Sequence, residues 1–265
     1  MKSAMDLELE LDFLKAYVLG GYGTGKSVFA STFPTPGYLF DFDQGAKTYR
    51  GLDWQYDTIP LTWKGWIEFE KIIKEVKKMV FDGKFKTGVV DSTTAMTDCA
   101  MARALQIDPK RSAEGGPIWN VHYQIVKNLM EPKLREIMSW PWNVVYTGHW
   151  NVQTDPKTGN IVSVDPLLTG QLSQKLPGYF DEVYTAFTKL KQGKEQYIIR
   201  TATRGHYKAR SRISGKYRLL PDEIPNDYKD LLNYMKAAQV KEKEIRQKQT
   251  QTENTTATQL KEKVS

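Results

Sequence analysis

The sequence contains very little cysteine, since Cys99 stands alone among 265 residues. A single cysteine excludes an internal disulfide framework and is typical of chains that fold in a reducing compartment. No apolar run is long enough to cross a bilayer, and the N-terminal stretch carries four acids in place of an apolar signal core. These absences exclude the disulfide-scaffold and transmembrane classes. We expect a cytoplasmic protein without membrane contact.

Internal repeats are also absent, which excludes solenoids and propellers. The chain is 40% hydrophobic and 26% charged, enough for one core domain, and its net charge of +7 permits contact with nucleic acid or an anionic surface. We expect a single domain over residues 1–236. The remaining residues, 237–265, are charged and then rich in Gln and Thr, which predicts a mobile tail.

One glycine-rich stretch fits the phosphate-binding P-loop pattern G-x-x-x-x-G-K-[ST]. An apolar strand precedes it and a helix follows, as the motif requires. The glycines allow close wrapping of a triphosphate, the lysine reaches the β- and γ-phosphates, and the serine hydroxyl can bind Mg²⁺. The predicted ATP-binding residues are Gly20, Gly21, Tyr22, Gly23, Thr24, Gly25, Lys26 and Ser27.

Strands and helices alternate through the first part of the chain, which predicts an α/β fold with a mostly parallel sheet flanked by helices. A turn at residues 155–160 predicts a β-hairpin, and two further strands follow, so we expect an antiparallel extension toward the C-terminal part. We also predict a strand or arm over residues 5–14, a break or kink at Pro132, and a short last helix over residues 228–235.

Acidic residues follow two of the predicted strands, where a parallel sheet gathers its ligands. Asp91 ends an apolar strand and can hold Mg²⁺ or its water, together with Ser27. Asp43 is the candidate general base, which would orient a water in line with the γ-phosphate. Asp41 lies on the same face but deeper, and either acid could instead cap the turn that follows. His149 ends a later strand, as a candidate sensor of the γ-phosphate or a packed residue.

Several segments resemble RecA-type recombinases, and the overall plan resembles the short RecA-like ATPases of bacteriophages that bind nucleotide or support single-strand annealing. The resemblance covers residues 17–217 and is carried by FDFDQGA at 40–46, VVDSTTAMT at 89–97, YTGH at 146–149, FDEV at 180–183 and KAR at 208–210. Asp43 departs from the usual glutamate and His149 from glutamine, and no separate N-terminal recombinase domain is evident.

The resemblance implies a RecA-like P-loop core with ATP and Mg²⁺ as cofactors, and catalytic roles for Lys26, Asp43 and His149. It implies contact with single-stranded DNA through residues 151–175, further copies of the chain with ATP at the subunit interfaces, and a single-strand-binding protein as another partner. A phage-encoded protein would act in the host cytoplasm. The DNA-binding candidates are Lys157, Lys175, Arg204 and Arg212, and the trans-acting candidates, which would reach a neighbour's γ-phosphate, are Lys208 and Arg210.

Four functions stay open from the sequence. We expect an ATPase that acts on single-stranded DNA in phage recombination, annealing or replication, with DNA-stimulated turnover. A ring-forming helicase-like translocase shares the same core. A small-molecule kinase would need an acceptor pocket and a lid, and no obvious lid is present in the sequence. A nucleotide-binding module without hydrolysis is favoured if Asp43 cannot activate water.

Overall fold

The computed structural model describes residues 12–213 and 216–262. Most of the strand or arm predicted over residues 5–14 lies outside the described residues. The helices are α1 Lys26–Ser31, α2 Trp63–Phe81, α3 Thr93–Ile107, α4 Trp119–Met138, α5 Leu172–Lys175 and α6 Tyr228–Glu262. The strands are β1 Lys15–Leu19, β2 Gly37–Asp41, β3 Trp54–Thr58, β4 Thr87–Asp91, β5 Asn143–Gly148, β6 Trp150–Thr154, β7 Ile161–Pro166, β8 Glu182–Lys191, β9 Lys194–Arg200, β10 Arg210–Ser211 and β11 Glu223–Pro225.

The described strands form one large sheet and one separate hairpin. The sheet has the order β11-β9-β8-β1-β5-β4-β2-β3, with β10 paired to β8. Strands β8, β1, β5, β4, β2 and β3 are mutually parallel, whereas β9, β10 and β11 pair antiparallel to their neighbours. The predicted α/β fold, a mostly parallel sheet with an antiparallel extension, is confirmed.

The predicted hairpin is also confirmed, as the separate antiparallel pair β6 and β7. It directly follows β5, so it begins at the same edge of the sheet at which the parallel strands end. His149 is the single residue between β5 and β6, so the hairpin begins directly after the candidate sensor.

Side chains alternate across the parallel strands and form a core on each face of the sheet. On one face Tyr17 packs with Trp66 of α2 and Met96 of α3 in a cluster that also includes side chains of α4. On the other face Val18 belongs to a cluster that contains Phe29 of α1 and side chains of α6. The sheet is thus covered on both sides, which is the arrangement that buried parallel strands require. The single cysteine, Cys99, is buried on α3.

Two helices run further than their sequences indicated. Helix α4 continues through Pro132, so the predicted break does not occur, and Met130 and Leu134 are buried on either side of the proline. Burial of both flanks holds the helix together although proline removes one backbone donor. Helix α6, expected to end near residue 235, extends to Glu262. Its added length is rich in good helix formers, and Glu242 pairs with Arg246 one turn later.

Helices long and apolar enough to span a membrane are absent from the part of the chain that the structure describes.

Candidate functional site

The P-loop joins β1 to α1 at the carboxyl edge of the sheet. Gly25 precedes the helix with a φ of 85°, a backbone conformation that glycine adopts without strain. Lys26 is only 8% exposed, and its Nζ donates to the carbonyls of Gly20 at 3.1 Å and Gly21 at 2.7 Å. Burial lowers the pKa of Lys26, and the carboxylates of Asp91 and Asp43 oppose that change. The lysine is therefore positioned beneath the loop, with two carboxylates close by.

Asp91 lies directly opposite the start of α1 because β4 ends beside the P-loop. Its Oδ2 accepts a hydrogen bond from Ser27 Oγ at 2.6 Å, and its Oδ1 accepts one from Thr147 Oγ1 at 2.5 Å. Asp91 is 2% exposed. Burial raises its pKa, the two hydroxyl donors lower it, and the nearby Asp43 charge raises it further. The structure thus brings the two predicted Mg²⁺ ligands into direct contact.

The two acids at the end of β2 have different surroundings. Asp41 is fully buried, with Oδ1 accepting from the Gly45 N–H at 2.7 Å and Oδ2 accepting from Thr58 Oγ1 at 3.0 Å. Both of its oxygens are engaged, and one of them caps the turn after β2. Asp43 lies one third exposed at the site, with its N–H donating to the Asp91 carbonyl at 3.0 Å. The geometry therefore favours Asp43 over Asp41 as the group that meets water.

His149 lies between the candidate base and the P-loop. Its Nε2 is 3.8 Å from Asp43 Oδ2, and the centroid of its ring lies 4.5 Å from that of Tyr22. The backbone N–H of His149 donates to Thr94 Oγ1 at 3.0 Å. Burial raises the pKa of Asp43, but polar contacts with His149 and Ser92 and the charge of Lys26 outweigh it, so the pKa lies below its usual value. Asp43 is therefore ionised at neutral pH, as a proton acceptor must be.

Two residues that the sequence did not indicate pack against the P-loop from the C-terminal part of the chain. A Cβ built on Gly25 would lie 2.7 Å from the Tyr197 ring, and Asn226 Nδ2 donates to the Gly25 carbonyl at 3.1 Å. Asn226 Oδ1 is buried and has no hydrogen-bond partner among the described residues. Asn226 lies 201 positions from Gly25, so no local pattern could have joined them.

These two residues also line an open cleft of about 1400 Å³ between the β8–β9 hairpin and the β11 segment. A cleft that adjoins the P-loop, with an aromatic ring and an unpartnered amide oxygen, suits the base of a nucleotide whose phosphates occupy the loop. Thr147 is a third residue missed from the sequence. It lies two positions before His149 on a strand, so the period-two alternation of strands could have placed it on the same face.

The trans-acting candidates both have partners in their own chain. Lys208 Nζ lies 3.0 Å from Asp165 Oδ1 of β7, while its side chain remains 71% exposed. Arg210 donates to the carbonyls of Pro177, Gly178 and Phe180 at 2.8–3.3 Å. Arg210 therefore stabilises the 3-10 helix that precedes β8, and its role toward a neighbouring subunit stays a prediction, as does that of Lys208.

The DNA-binding candidates differ in whether an acidic side chain lies beside them. Arg212 pairs with Asp181 at 2.6 Å, and Arg204 lies 3.7 Å from Glu223. Lys157 is exposed in the turn of the β6–β7 hairpin, and Lys175 is exposed at the end of α5. Among the described residues, Lys157 and Lys175 have no carboxylate partner within 4.0 Å. DNA contact by any of the four candidates stays a prediction.

The donor set around Ser27 and Asp91 fits a Mg²⁺ ion that is bound together with a triphosphate. Mg²⁺ in such sites takes one or two protein oxygens and completes its shell with phosphate oxygens and water. Across residues 12–213 and 216–262, no group of three or more His, Cys, Asp or Glu side chains could hold a metal ion on its own. The ion would therefore arrive with its nucleotide.

Three comparisons relate this chain to known proteins. A family model described as an AAA domain, AAA_24, matches residues 12–213. No curated protein matches the chain. Among solved structures, a KaiC-like protein from the hyperthermophilic archaeon Pyrococcus horikoshii OT3 matches with 14% sequence identity, over 75% of this chain and 81% of that chain, with a TM-score of 0.39.

Proposed function

We propose, because the chain belongs to the AAA domain family, that this protein binds MgATP at its P-loop and hydrolyses it. The observation that carries this proposal is the contact between Ser27 Oγ and Asp91 Oδ2 at 2.6 Å, beside a buried Lys26. Those three groups supply the phosphate-binding cation and the two oxygen ligands that phosphoryl transfer requires. When bound, Mg²⁺ would neutralise charge on the β- and γ-phosphates.

Each residue of the site has a definable task in this proposal. Lys26 binds the β- and γ-phosphates in place of the P-loop carbonyls to which it now donates. Asp43 orients the attacking water and accepts its proton, since it is ionised and partly exposed. His149 touches both Asp43 and Tyr22, so it can report an occupied P-loop to the hairpin that begins at Trp150.

The nucleotide base would lie in the cleft beside Tyr197. That position lets the aromatic ring stack on the base while the buried Oδ1 of Asn226 accepts a hydrogen bond from an exocyclic amine. Adenine carries such an amine at C6 and guanine at C2, so this contact suits a purine nucleotide.

We further propose that the substrate of the ATPase cycle is single-stranded DNA, in phage recombination, annealing or replication in the host cytoplasm. The motif resemblance to RecA-like phage ATPases and the net charge of +7 support this proposal. Assembly of several copies with ATP between subunits, and a single-strand-binding protein as a partner, belong to the same proposal. A ring-forming translocase is the alternative, and strand displacement would distinguish it.

The deciding experiment is phosphate release from MgATP, alone and with single-stranded or duplex DNA. We expect turnover that single-stranded DNA stimulates, and loss of ATP binding in Lys26→Ala. Lys71→Ala, which removes an exposed lysine from α2, is the matched control. Equal turnover by the wild type, Lys26→Ala and Lys71→Ala would contradict the ATPase proposal, whereas turnover indifferent to every DNA would contradict the DNA proposal alone.

A further inference from the structure

A pair of aromatic side chains lies at the beginning of α4, away from the P-loop. Trp119 is the first residue of the helix, and 65% of it is exposed. Tyr123 follows one turn later, and the two ring centroids are 4.4 Å apart with an interplanar angle of 40°. Trp119 is thus an exposed aromatic ring in contact with the half-buried ring of Tyr123, which together form an apolar face suited to a flat ligand.

This aromatic pair forms one wall of an open cleft of about 880 Å³. The opposite wall is the segment between β7 and α5. Thr169 Oγ1, in that wall, is buried and has no hydrogen-bond partner among the described residues. The residues that line the cleft are Trp119, Asn120, Tyr123, Gln124, Lys127, Thr169, Gly170, Gln171 and Gln174.

The chemistry of this lining is selective. Four side-chain amides face the cleft, and of the charged residue types only lysine, as Lys127, is represented in the described lining. Amides can donate to and accept from base edges, an aromatic face stacks on any base, and the Lys127 ammonium suits a phosphate. The described lining contains no acidic side chain that would repel the phosphates of a nucleic-acid strand.

The backbone that carries Trp119 is held in place by His122, one turn after Ile118. His122 is fully buried, its Nδ1 accepts the Ile118 N–H at 2.8 Å, and its Nε2 lies 2.8 Å from the Asp108 carbonyl. One ring nitrogen accepts and the other donates, so the imidazole ties the loop before α4 to the helix itself. The exposed ring is therefore presented from a fixed backbone, which lowers the entropy lost on binding.

The cleft also connects to the nucleotide site. Gln174 lines the cleft and, with Leu19 and Trp150, a second cavity that adjoins the end of β1. Trp150 directly follows His149, the residue in contact with Asp43. A change at the γ-phosphate position therefore has a short packed route to the wall of the cleft.

We propose that this cleft stacks bases of single-stranded DNA on Trp119 and Tyr123, with Lys127 on the backbone. This inference rests on the proposed DNA function and assigns it to residues outside the basic segment at 204–212. Duplex DNA hides its bases in the stack, so the cleft selects single strands. Because Gln174 lines both this cleft and the cavity beside Trp150, we expect the affinity for DNA to depend on ATP.

The test is fluorescence anisotropy of a labelled oligo-dT across a salt series, with a slowly hydrolysed ATP analogue. Base–aromatic stacking predicts that Trp119→Ala binds about 5- to 150-fold more weakly at fixed salt. Its salt slope should stay unchanged because no charge is lost, and Trp119→Phe should recover most of the affinity. Lys127→Ala should instead make the slope shallower by about 0.7.

Trp63→Ala is the matched control. Trp63 is likewise the first residue of a long helix and is 39% exposed, but it lies on α2. We expect Trp63→Ala to bind like the wild type. Thermal unfolding midpoints and size-exclusion profiles of all variants confirm that folding and assembly are preserved.

The outcomes separate this inference from the proposal beneath it. If the wild type binds oligo-dT and Trp119→Ala binds equally well, the cleft inference is wrong and the DNA proposal stands. If the wild type binds no oligonucleotide at low salt with or without the analogue, the DNA proposal itself fails. If Trp119→Ala loses binding only because it no longer assembles, the aromatic pair is an interface between copies, which also overturns the inference.

Discussion

The substitution Asp43→Asn separates hydrolysis from binding at the candidate site. Asparagine keeps the size and one oxygen of aspartate but cannot accept the proton of the attacking water. The Asp43 side chain is one third exposed, and its Oδ2 lies 3.8 Å from His149 Nε2. The substitution therefore removes no short ion pair of the described structure, and we expect the fold to be preserved.

The size of the effect follows from the role. A general base contributes about 10²–10⁴-fold to a rate, or about 3–5 kcal/mol of barrier. Unfolding free energy should change by no more than about 1 kcal/mol, as for other partly exposed positions. Asp41→Asn, at the last residue of β2 and two positions before Asp43, is the matched control. It exchanges one of two buried acceptors for an amide, so about 1–3 kcal/mol of stability should be lost.

The assay combines phosphate release at saturating MgATP, titration with a fluorescent ATP analogue, and urea unfolding. Asp43→Asn should bind the analogue with near wild-type affinity and lose turnover, whereas Asp41→Asn should lose stability and keep turnover at a temperature where it is folded. The reasoning is refuted if Asp43→Asn loses less than tenfold while a folded Asp41→Asn loses more. The proton acceptor would then be Asp41.

Three further predictions concern residues that the structure added to the site or its support. Tyr197→Ala should weaken ATP binding about tenfold and leave inorganic triphosphate binding unchanged, since the latter has no base; equal losses for both ligands in calorimetric titrations would contradict the base cleft. Thr147→Val removes a hydrogen-bond donor to buried Asp91, so the free energy of unfolding in urea should fall by about 1.5–3 kcal/mol. Mg²⁺-dependent turnover should fall as well. Thr201→Val, away from the site, is the control and should leave turnover unchanged. Burial raises the pKa of Glu182 to about 7 from 4.5, so the folded chain keeps a proton that the unfolded chain releases, and the unfolding free energy should fall as pH rises between these values. Glu182→Gln should flatten that decline, and an unchanged pH profile would argue against it.

The parts of the site that the sequence predicted are those fixed by local order and by the geometry of parallel sheets. Strand, glycine loop and helix follow one another directly, so Lys26 and Ser27 could be placed from their own neighbourhood. Asp91 lies far along the chain, but parallel strands end at a common edge, and its position at the end of β4 brings it to Ser27. Each of these positions followed from the order of neighbouring elements or from the point at which a parallel strand ends.

The parts that the sequence did not predict depend on which distant side chains meet. Tyr197 and Asn226 reach Gly25 only because the antiparallel extension folds back beside β1. Neither contact has a sequence motif or a regular spacing that would predict it, because the distance along the chain between its two residues is set by strand register and loop length.

The basic segment at 204–212 shows why charge counted along a chain is a poor guide to its use. Arg210 donates to three carbonyls of its own chain, and a guanidinium so engaged would have to break all three bonds to reach a neighbour. Lys208 differs, because its pair with Asp165 is 71% exposed on the lysine side and such pairs contribute little to stability. Release of Lys208 is therefore the less costly change, and Asp165 lies on β7 of the hairpin that follows His149. A hairpin that shifts with the nucleotide would free Lys208 and leave Arg210 in place, so we predict that Lys208, rather than Arg210, is the trans-acting candidate coupled to the state of the P-loop.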